Sequence, residues 1–162
     1  MVNLLNLTAA AATATRFNIM DHQNLVLDLV NGGCEDYTTV QQFGRGPVTT
    51  QEWSLNHIGP IDSDHFQITN VGCGTVLSYA GSATGANSIR SQLVNLVKSN
   101  TTWFVVSDVN SPSGGVRIIE SVSSLALTAW TADPIEATAP LTLEPNRAKD
   151  TRQNFFLSGV AI

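Results

Sequence analysis

Charge is scarce in this sequence: 8 Lys+Arg and 13 Asp+Glu among 162 residues, 13% in all, against roughly 25% in ordinary soluble domains. The few basic residues form no cluster and the net charge is −5, so the cationic stripe that a phosphate backbone needs is missing and nucleic acid is not an expected partner. Long apolar runs are absent too, none approaching the ~18 residues of a membrane helix. The N-terminal stretch LLNLTAAAATA has no basic residue before it and is broken by Asn6 and Thr8. It is therefore read as a lead-in strand or arm, residues 1–15, rather than a cleaved leader. Cysteine is limited to Cys34 and Cys73, which match neither a disulfide framework nor a Cys-x-x-Cys pattern. They are expected to be free thiols in a reducing, cytoplasmic setting, where the acceptor triplets at Asn6 and Asn100 stay unused.

Catalytic groupings are also thin. Glu35-Asp36 and Asp62-Ser63-Asp64-His65 are acidic pairs in turn-like sequence, and His57 and His65 have no partners at metal-ligand spacing. Cys34 has no neighbour that would lower its pKa, and Gly81-Ser82-Ala83-Thr84-Gly85 misplaces the serine of a nucleophile elbow. The reading is a non-enzyme without metal or cofactor.

A repeat is what the sequence does contain. Arg16-Phe17-Asn18-Ile19, His65-Phe66-Gln67-Ile68 and Gly115-Val116-Arg117-Ile118 align. Val26-Leu27-Asp28, Val76-Leu77-Ser78 and Ala126-Leu127-Thr128 follow at 50-residue intervals, and Gln51-Glu52-Trp53, Thr101-Thr102-Trp103 and Gln153-Asn154-Phe155 close the units at intervals of 50 and 52. Within each unit apolar residues alternate with polar ones between Gly-, Asn- and Pro-containing turns, a strand pattern, and no amphipathic helix is visible. Three units of about four strands each, about twelve in all, are too few for a propeller. The expected fold is therefore all-β, a β-trefoil forming a single domain over residues 1–162, with pseudo-symmetric repeats at 16–59, 60–110 and 111–162. Trp53, Trp103 and Phe155 are expected to converge in a shared core, since no unit buries its apolar face alone.

The closing motif, complete as Gln51-x-Trp53 and altered as Thr101-x-Trp103 and Gln153-x-Phe155, resembles the Gln-x-Trp hallmark of the ricin-B-type β-trefoil lectins, especially their small cytoplasmic fungal members. The resemblance spans about residues 16–160. It implies a sugar site built from an Asp on the second strand of a repeat and from a Gln and an aromatic two residues apart on the third. In the first repeat Asp28 is followed after 13 residues by Gln41 and after 15 by Phe43, the family's order and spacing.

The chemistry of these residues suits a sugar. A carboxylate accepts hydrogen bonds from adjacent hydroxyls with charge assistance, an aromatic face covers the C–H patch of a galactose-like ring, and an amide both donates and accepts. The expected site comprises Asp28, Asn31, Gly32, Gly33, Tyr37, Gln41, Phe43 and Thr50, with His22 and Arg45 as substitute contacts. The family has Trp where Phe43 stands and Asn where Thr50 stands, and its loop is longer than Gly44-Arg45-Gly46-Pro47. Repeat two offers Ser78 with Arg90 and Gln92, and repeat three Thr128 with Thr142, Glu144 and a displaced Trp130. One site per chain is expected.

Asp28 also has a plain reading as a turn cap, Phe43 as core, and Gln51 as a structural hydrogen-bonder rather than a ligand contact. By resemblance the function is binding of galactose- or N-acetylgalactosamine-type glycans in a defence or toxin role. Residues 2–15 would pair two protomers into a homodimer that gains avidity. Since fold does not fix function, the alternative is a trefoil protease inhibitor acting through loop 44–47 or 132–136.

Overall fold

The computed structural model describes residues 16–60, 64–79, 91–96, 104–109, 115–132 and 138–160. The N-terminal arm, Trp103, Arg90 and most of loop 132–136 lie outside them. Twelve strands are present among the described residues, in chain order β1 (Arg16–Met20), β2 (Val26–Leu29), β3 (Val40–Phe43), β4 (Trp53–His57), β5 (His65–Asn70), β6 (Val76–Tyr79), β7 (Ser91–Leu96), β8 (Phe104–Asp108), β9 (Val116–Glu120), β10 (Leu125–Ala129), β11 (Ala139–Pro145) and β12 (Phe156–Val160).

The pairings sort the strands into two groups. β1, β4, β5, β8, β9 and β12 pair in a ring, all antiparallel, and the bridge between Val116 and Phe155 closes it. The hairpins β2–β3, β6–β7 and β10–β11 each join the ring at a single residue pair, Met20–Val26, Thr69–Val76 and Ile119–Ala126, and meet one another where β11 pairs with both β3 and β7. A six-stranded barrel capped by three hairpins, one per repeat, is β-trefoil architecture. Closure removes the unpaired edges that an open sheet would expose.

Equivalent positions fill the core. Phe17 faces Trp53, Phe66 faces Phe104, and Val116 faces Phe155 at the points where each repeat's first and last strands meet. Trp53, Phe104 and Phe155 are fully buried, each contributing roughly 1.5–3 kcal/mol of transfer free energy. In repeat two, therefore, Phe104 holds the cross-strand position one residue beyond the aromatic that the spacing selects. The Trp53 indole N–H donates to the Leu27 carbonyl at 3.1 Å, so its burial leaves no polar atom unmet.

The first turn of each repeat shows how side chains replace missing ladder bonds. Asp21, Asn70 and Glu120 occupy equivalent, buried positions. Asp21 Oδ1 accepts from the Gln23 and Leu25 amides, Asn70 Oδ1 from that of Cys73, and the Glu120 carboxylate from those of Val122 and Ser123. Each turn then passes through a left-handed residue, Asn24, Gly74 and Ser124, at φ of 64°, 67° and 60°.

The cysteines overturn the sequence reading. Cys34 and Cys73 form a disulfide, with Cα atoms 5.2 Å apart across 39 residues of sequence. A separation that crosses a repeat boundary carries no local pattern, and only the fold reveals it. Oxidised cysteine pairs persist in oxidising compartments, so the expectation of a reducing, cytoplasmic setting loses the free thiols on which it rested.

Candidate functional site

Asp28 and Gln41 are direct cross-strand partners in the β2–β3 hairpin, and Val26 faces Phe43 two pairs further along. Gln41 and Phe43 alternate in phase on β3, which sends both side chains to one face. The loop from β3 to β4 ends in a 3₁₀ turn, Thr49–Gln51, which carries Thr50 back over β2. There the Thr50 hydroxyl donates to Asp28 Oδ1 at 3.1 Å. Asp28 is only 8% exposed, and Thr50 engages one of its two oxygens, which leaves the other free to accept.

These residues surround an open pocket of about 700 Å³, lined by Asp28, Asn31, Gly32, Gln41, Phe43, Gly44, Gly46, Pro47, Val48, Thr49, Thr50 and Gln51. Of the eight site residues expected from the sequence, it brings together six: Asp28, Asn31, Gly32, Gln41, Phe43 and Thr50. Gly33 and Tyr37 are not in its wall. Tyr37 is 64% exposed and left-handed, with φ of 66°. Gly33 packs against its own loop, where an added Cβ would stand 2.9 Å from the Thr38 side chain. His22 and Arg45 also lie outside the lining.

Asn31 and Gly32 form one wall, and both are left-handed, with φ of 54° and 66°, the second at little cost because glycine lacks a Cβ. The other wall meets this one where an added Cβ on Gly32 would stand 3.7 Å from Thr50 Cγ2, and its residues 46–49 were not selected from the sequence. It is built from loop backbone plus Pro47 and Val48, which no motif marks. With Phe43 (40% exposed) and Val48 (44% exposed), the pocket presents an apolar flank facing a carboxylate and an amide.

The motif glutamines shape this wall. Gln51 is 2% exposed; its Oε1 accepts from the Gly46 amide at 2.7 Å and its Nε2 donates to the Gly44 carbonyl at 3.0 Å. Gln153 does the same in repeat three, accepting from Arg147 N and donating to Pro145 O, each at 2.9 Å. Gln51 is thus a loop-holder whose consequence for the pocket is indirect.

The other repeats diverge at the equivalent positions. Ser78 faces Val94, and Val76 faces Leu96; the counterparts of Gln41 and Phe43 are thus Val94 and Leu96, correcting the pairing of Ser78 with Arg90 and Gln92. Repeat two has no carboxylate, amide or aromatic ring at these four positions. In repeat three Thr128 faces Thr142 and Ala126 faces Glu144, as the spacing implied, yet the polar groups bond one another. The Thr128 hydroxyl accepts from Gln153 Nε2 at 3.1 Å, the Trp130 indole N–H donates to Thr142 Oγ1 at 2.8 Å, and Thr142 donates to Glu144 Oε1 at 3.0 Å. The Arg152 guanidinium covers the Trp130 ring, 4.7 Å from its centroid, while paired with Asp150 at 2.9 and 2.7 Å. That hydrogen-bonded pair holds the Asp150 carboxyl below its ordinary value.

Among the described residues no group of three or more His, Cys, Asp or Glu is placed to hold a metal ion. Neither a protein-family model nor a curated protein matches the sequence. Solved structures do match. The designed threefold-symmetric protein ThreeFoil superposes with a TM-score of 0.74 at 16% identity, covering 88% of this chain and 96% of its own. The Rhizoctonia solani agglutinin gives 0.73 at 18%, covering 91% and 96%. The Macrolepiota procera ricin B-like lectin, solved in complex with lactose, gives 0.65 at 14%, covering 88% and 93%. Together with the barrel-and-cap pairing, these likenesses show that the chain folds as a β-trefoil.

Proposed function

We propose that this protein is a carbohydrate-binding lectin that acts through the first-repeat pocket and performs no chemistry. The observation that carries the reading is the juxtaposition of Asp28, held by Thr50 and faced by Gln41, with the exposed ring of Phe43 in one open pocket. A sugar ring needs such a pair of surfaces. Its hydroxyls require acceptors with charge assistance, and its C–H face requires an apolar plate. The Rhizoctonia agglutinin and the lactose-bound Macrolepiota lectin share the fold, and the lactose of the second supports a ligand of galactose or N-acetylgalactosamine type. One open pocket binds weakly after ordering costs. Pairing of two copies through residues 2–15 would raise avidity on a glycan-bearing surface.

The test is a glycan array probed with wild-type protein and Asp28→Ala, with thermal melts showing both folded. Loss of a charged acceptor, worth about 1.5–3 kcal/mol, is expected to abolish signal on galactose-terminated glycans. A folded wild type that binds no glycan refutes the reading. Assays of wild-type protein and loop 44–47 variants against cysteine and serine proteases would then decide for or against inhibition.

A further inference from the structure

One turn of repeat two touches both walls of the repeat-one pocket. The turn between β5 and β6, residues 70–74, is bound to the backbone of Thr49, Thr50 and Glu52. Gly72 N donates to Thr49 O at 3.2 Å, Val71 N to Glu52 O at 2.8 Å, and Asn70 Nδ2 to Thr50 O at 2.8 Å. The fit leaves no slack: a Cβ on Gly72 would lie 2.7 Å from Thr49 Oγ1 and 3.0 Å from the Thr49 carbonyl carbon. Through Cys73 the same turn is joined covalently to Cys34, two residues beyond Gly32 in the other wall.

The tethered loop has little else to hold its shape by burial. Asn31, Gly32 and Cys34 through Tyr37 are exposed, and Asn31, Gly32 and Tyr37 all adopt left-handed backbone, a conformation that costs a non-glycine residue free energy. Its internal bonds, Val30 N to Thr39 O and Gly33 N to Val30 O, both 3.1 Å, close the loop on itself. Neither bond runs to the 46–50 wall, which the loop meets at Gly32, where an added Cβ would stand 3.7 Å from Thr50 Cγ2. The equivalent turns of repeats one and three, at Asp21–Leu25 and Glu120–Leu125, contain no cysteine. The covalent tether is thus present only where the turn abuts the pocket that holds Asp28.

We propose that the Cys34–Cys73 disulfide is a positioning element of the pocket: it sets the Asn31–Gly32 wall against the Thr49–Thr50 wall, and its reduction by a dithiol weakens ligand binding while the barrel stays folded. The inference rests on the glycan-binding reading of that pocket. In the reductive step a thiolate of the dithiol attacks the sulfur of the exposed Cys34 and the S–S bond breaks. The electron pair leaves on Cys73 Sγ, which takes a proton. The second thiol of the reductant then displaces Cys34, which is also protonated, and the reductant departs as a cyclic disulfide, two electrons and two protons having passed to the protein.

The experiment compares oxidised protein, protein reduced with dithiothreitol, and the double variant Cys34→Ala/Cys73→Ala. Backbone deuterium exchange and binding to lactose and N-acetylgalactosamine are both measured. The expected result is exchange at least fivefold faster in residues 30–38 at labelling times short enough that β4, β5 and β9 stay unlabelled in every form, and at least tenfold weaker binding. Arg117→Met, a destabilised variant whose lesion lies outside the pocket lining, is expected to bind like wild type. Equal exchange in 30–38 for oxidised and reduced protein overturns the proposal, as does an equal loss of affinity in Arg117→Met. If the oxidised protein binds neither sugar, the lectin reading fails by itself, and the exchange of 30–38 alone upholds or overturns the clamp.

Discussion

Gln51 and Gln153 form a matched pair in which structure and function come apart. Each is buried and each bridges a donor and an acceptor of the loop that precedes it: Gly46 N and Gly44 O for Gln51, Arg147 N and Pro145 O for Gln153. Gln153 has a further bond to Thr128 Oγ1. At about 1 kcal/mol net per neutral hydrogen bond, Gln51→Ala is expected to cost about 2 kcal/mol and Gln153→Ala about 3 kcal/mol. For a chain of this length each kcal/mol moves Tm by about 2–4 °C, so drops of roughly 4–8 °C and 6–12 °C are expected by scanning calorimetry. Binding separates the two. Gly44 and Gly46 line the pocket and residues 145–147 do not, so Gln51→Ala is expected to weaken glycan binding about tenfold, whereas Gln153→Ala, though less stable, binds as wild type does at a temperature where both are folded. An equal loss of affinity in the two variants would refute the argument, because affinity would then follow global stability rather than the placement of loop 44–46.

Further expectations follow from other sites. Arg117, 8% exposed, donates to Asn146 Oδ1, Arg147 O, Ala148 O and Asn154 Oδ1 at 2.8–3.2 Å; Arg117→Met is expected to cost about 3 kcal/mol in urea unfolding, less than four charged hydrogen bonds because the exposed 146–148 carbonyls rehydrate. Burial pushes the Asp21 carboxyl above its ordinary 3.8, against the pull of the Gln23 and Leu25 amides. The native state therefore holds that proton more tightly than the unfolded chain, and stability falls as pH rises from about that value through the raised pKa. Asp21→Asn is expected to melt at least as high as wild type at pH 7 and to lose that advantage on acidification. Asp150 behaves oppositely. Its depressed pKa, set first by the Arg152 hydrogen bond, contributes stability above 3.8 that is lost as pH falls through the lowered value, so Asp150→Asn and wild type converge in acid melts. Removing the disulfide, whose 39-residue separation closes a long loop in the unfolded chain, is expected to cost about 4 kcal/mol by the chain-entropy relation, within the 5–15 kcal/mol of a typical domain.

The 50-residue period was enough to read the fold, because a threefold trefoil repeats its strand and turn chemistry in register and each copy corroborates the others. The period failed only where repeat two departs from it. Its closing aromatic slides one residue to Phe104, and its third strand aligns Val94 rather than Gln92 with Ser78, since a strand's register follows the length of the preceding loop and not the spacing of look-alike residues. The disulfide was illegible for a different reason. Cys34 and Cys73 lie in non-equivalent loops of different repeats, and nothing short of the packed barrel brings the two loops together.

The site was legible in proportion to how much of it is side chain on strand. Asp28, Gln41 and Phe43 could be read because their order and spacing resemble the family's and because they stand on strands, where the structure pairs Asp28 with Gln41; the 46–49 wall could not, because its shape comes from loop backbone held by Gln51. The same distinction explains why, among the described residues, the positions equivalent to Asp28, Gln41 and Phe43 differ between the repeats. At the position of Asp28, repeat two sets Ser78 opposite an aliphatic residue, and repeat three sets a threonine whose hydroxyl is already bonded to Gln153. Repeat three still carries an indole, a carboxylate and a guanidinium, but each satisfies another: Arg152 over Trp130, Trp130 to Thr142, Thr142 to Glu144. A ligand there would have to break those bonds before making its own, whereas at Asp28 it meets an oxygen that the fold has left unengaged. Calorimetric titration is accordingly expected to give one sugar per chain; three equal sites would show that the internal bonds of repeat three and the apolar residues of repeat two do not decide occupancy.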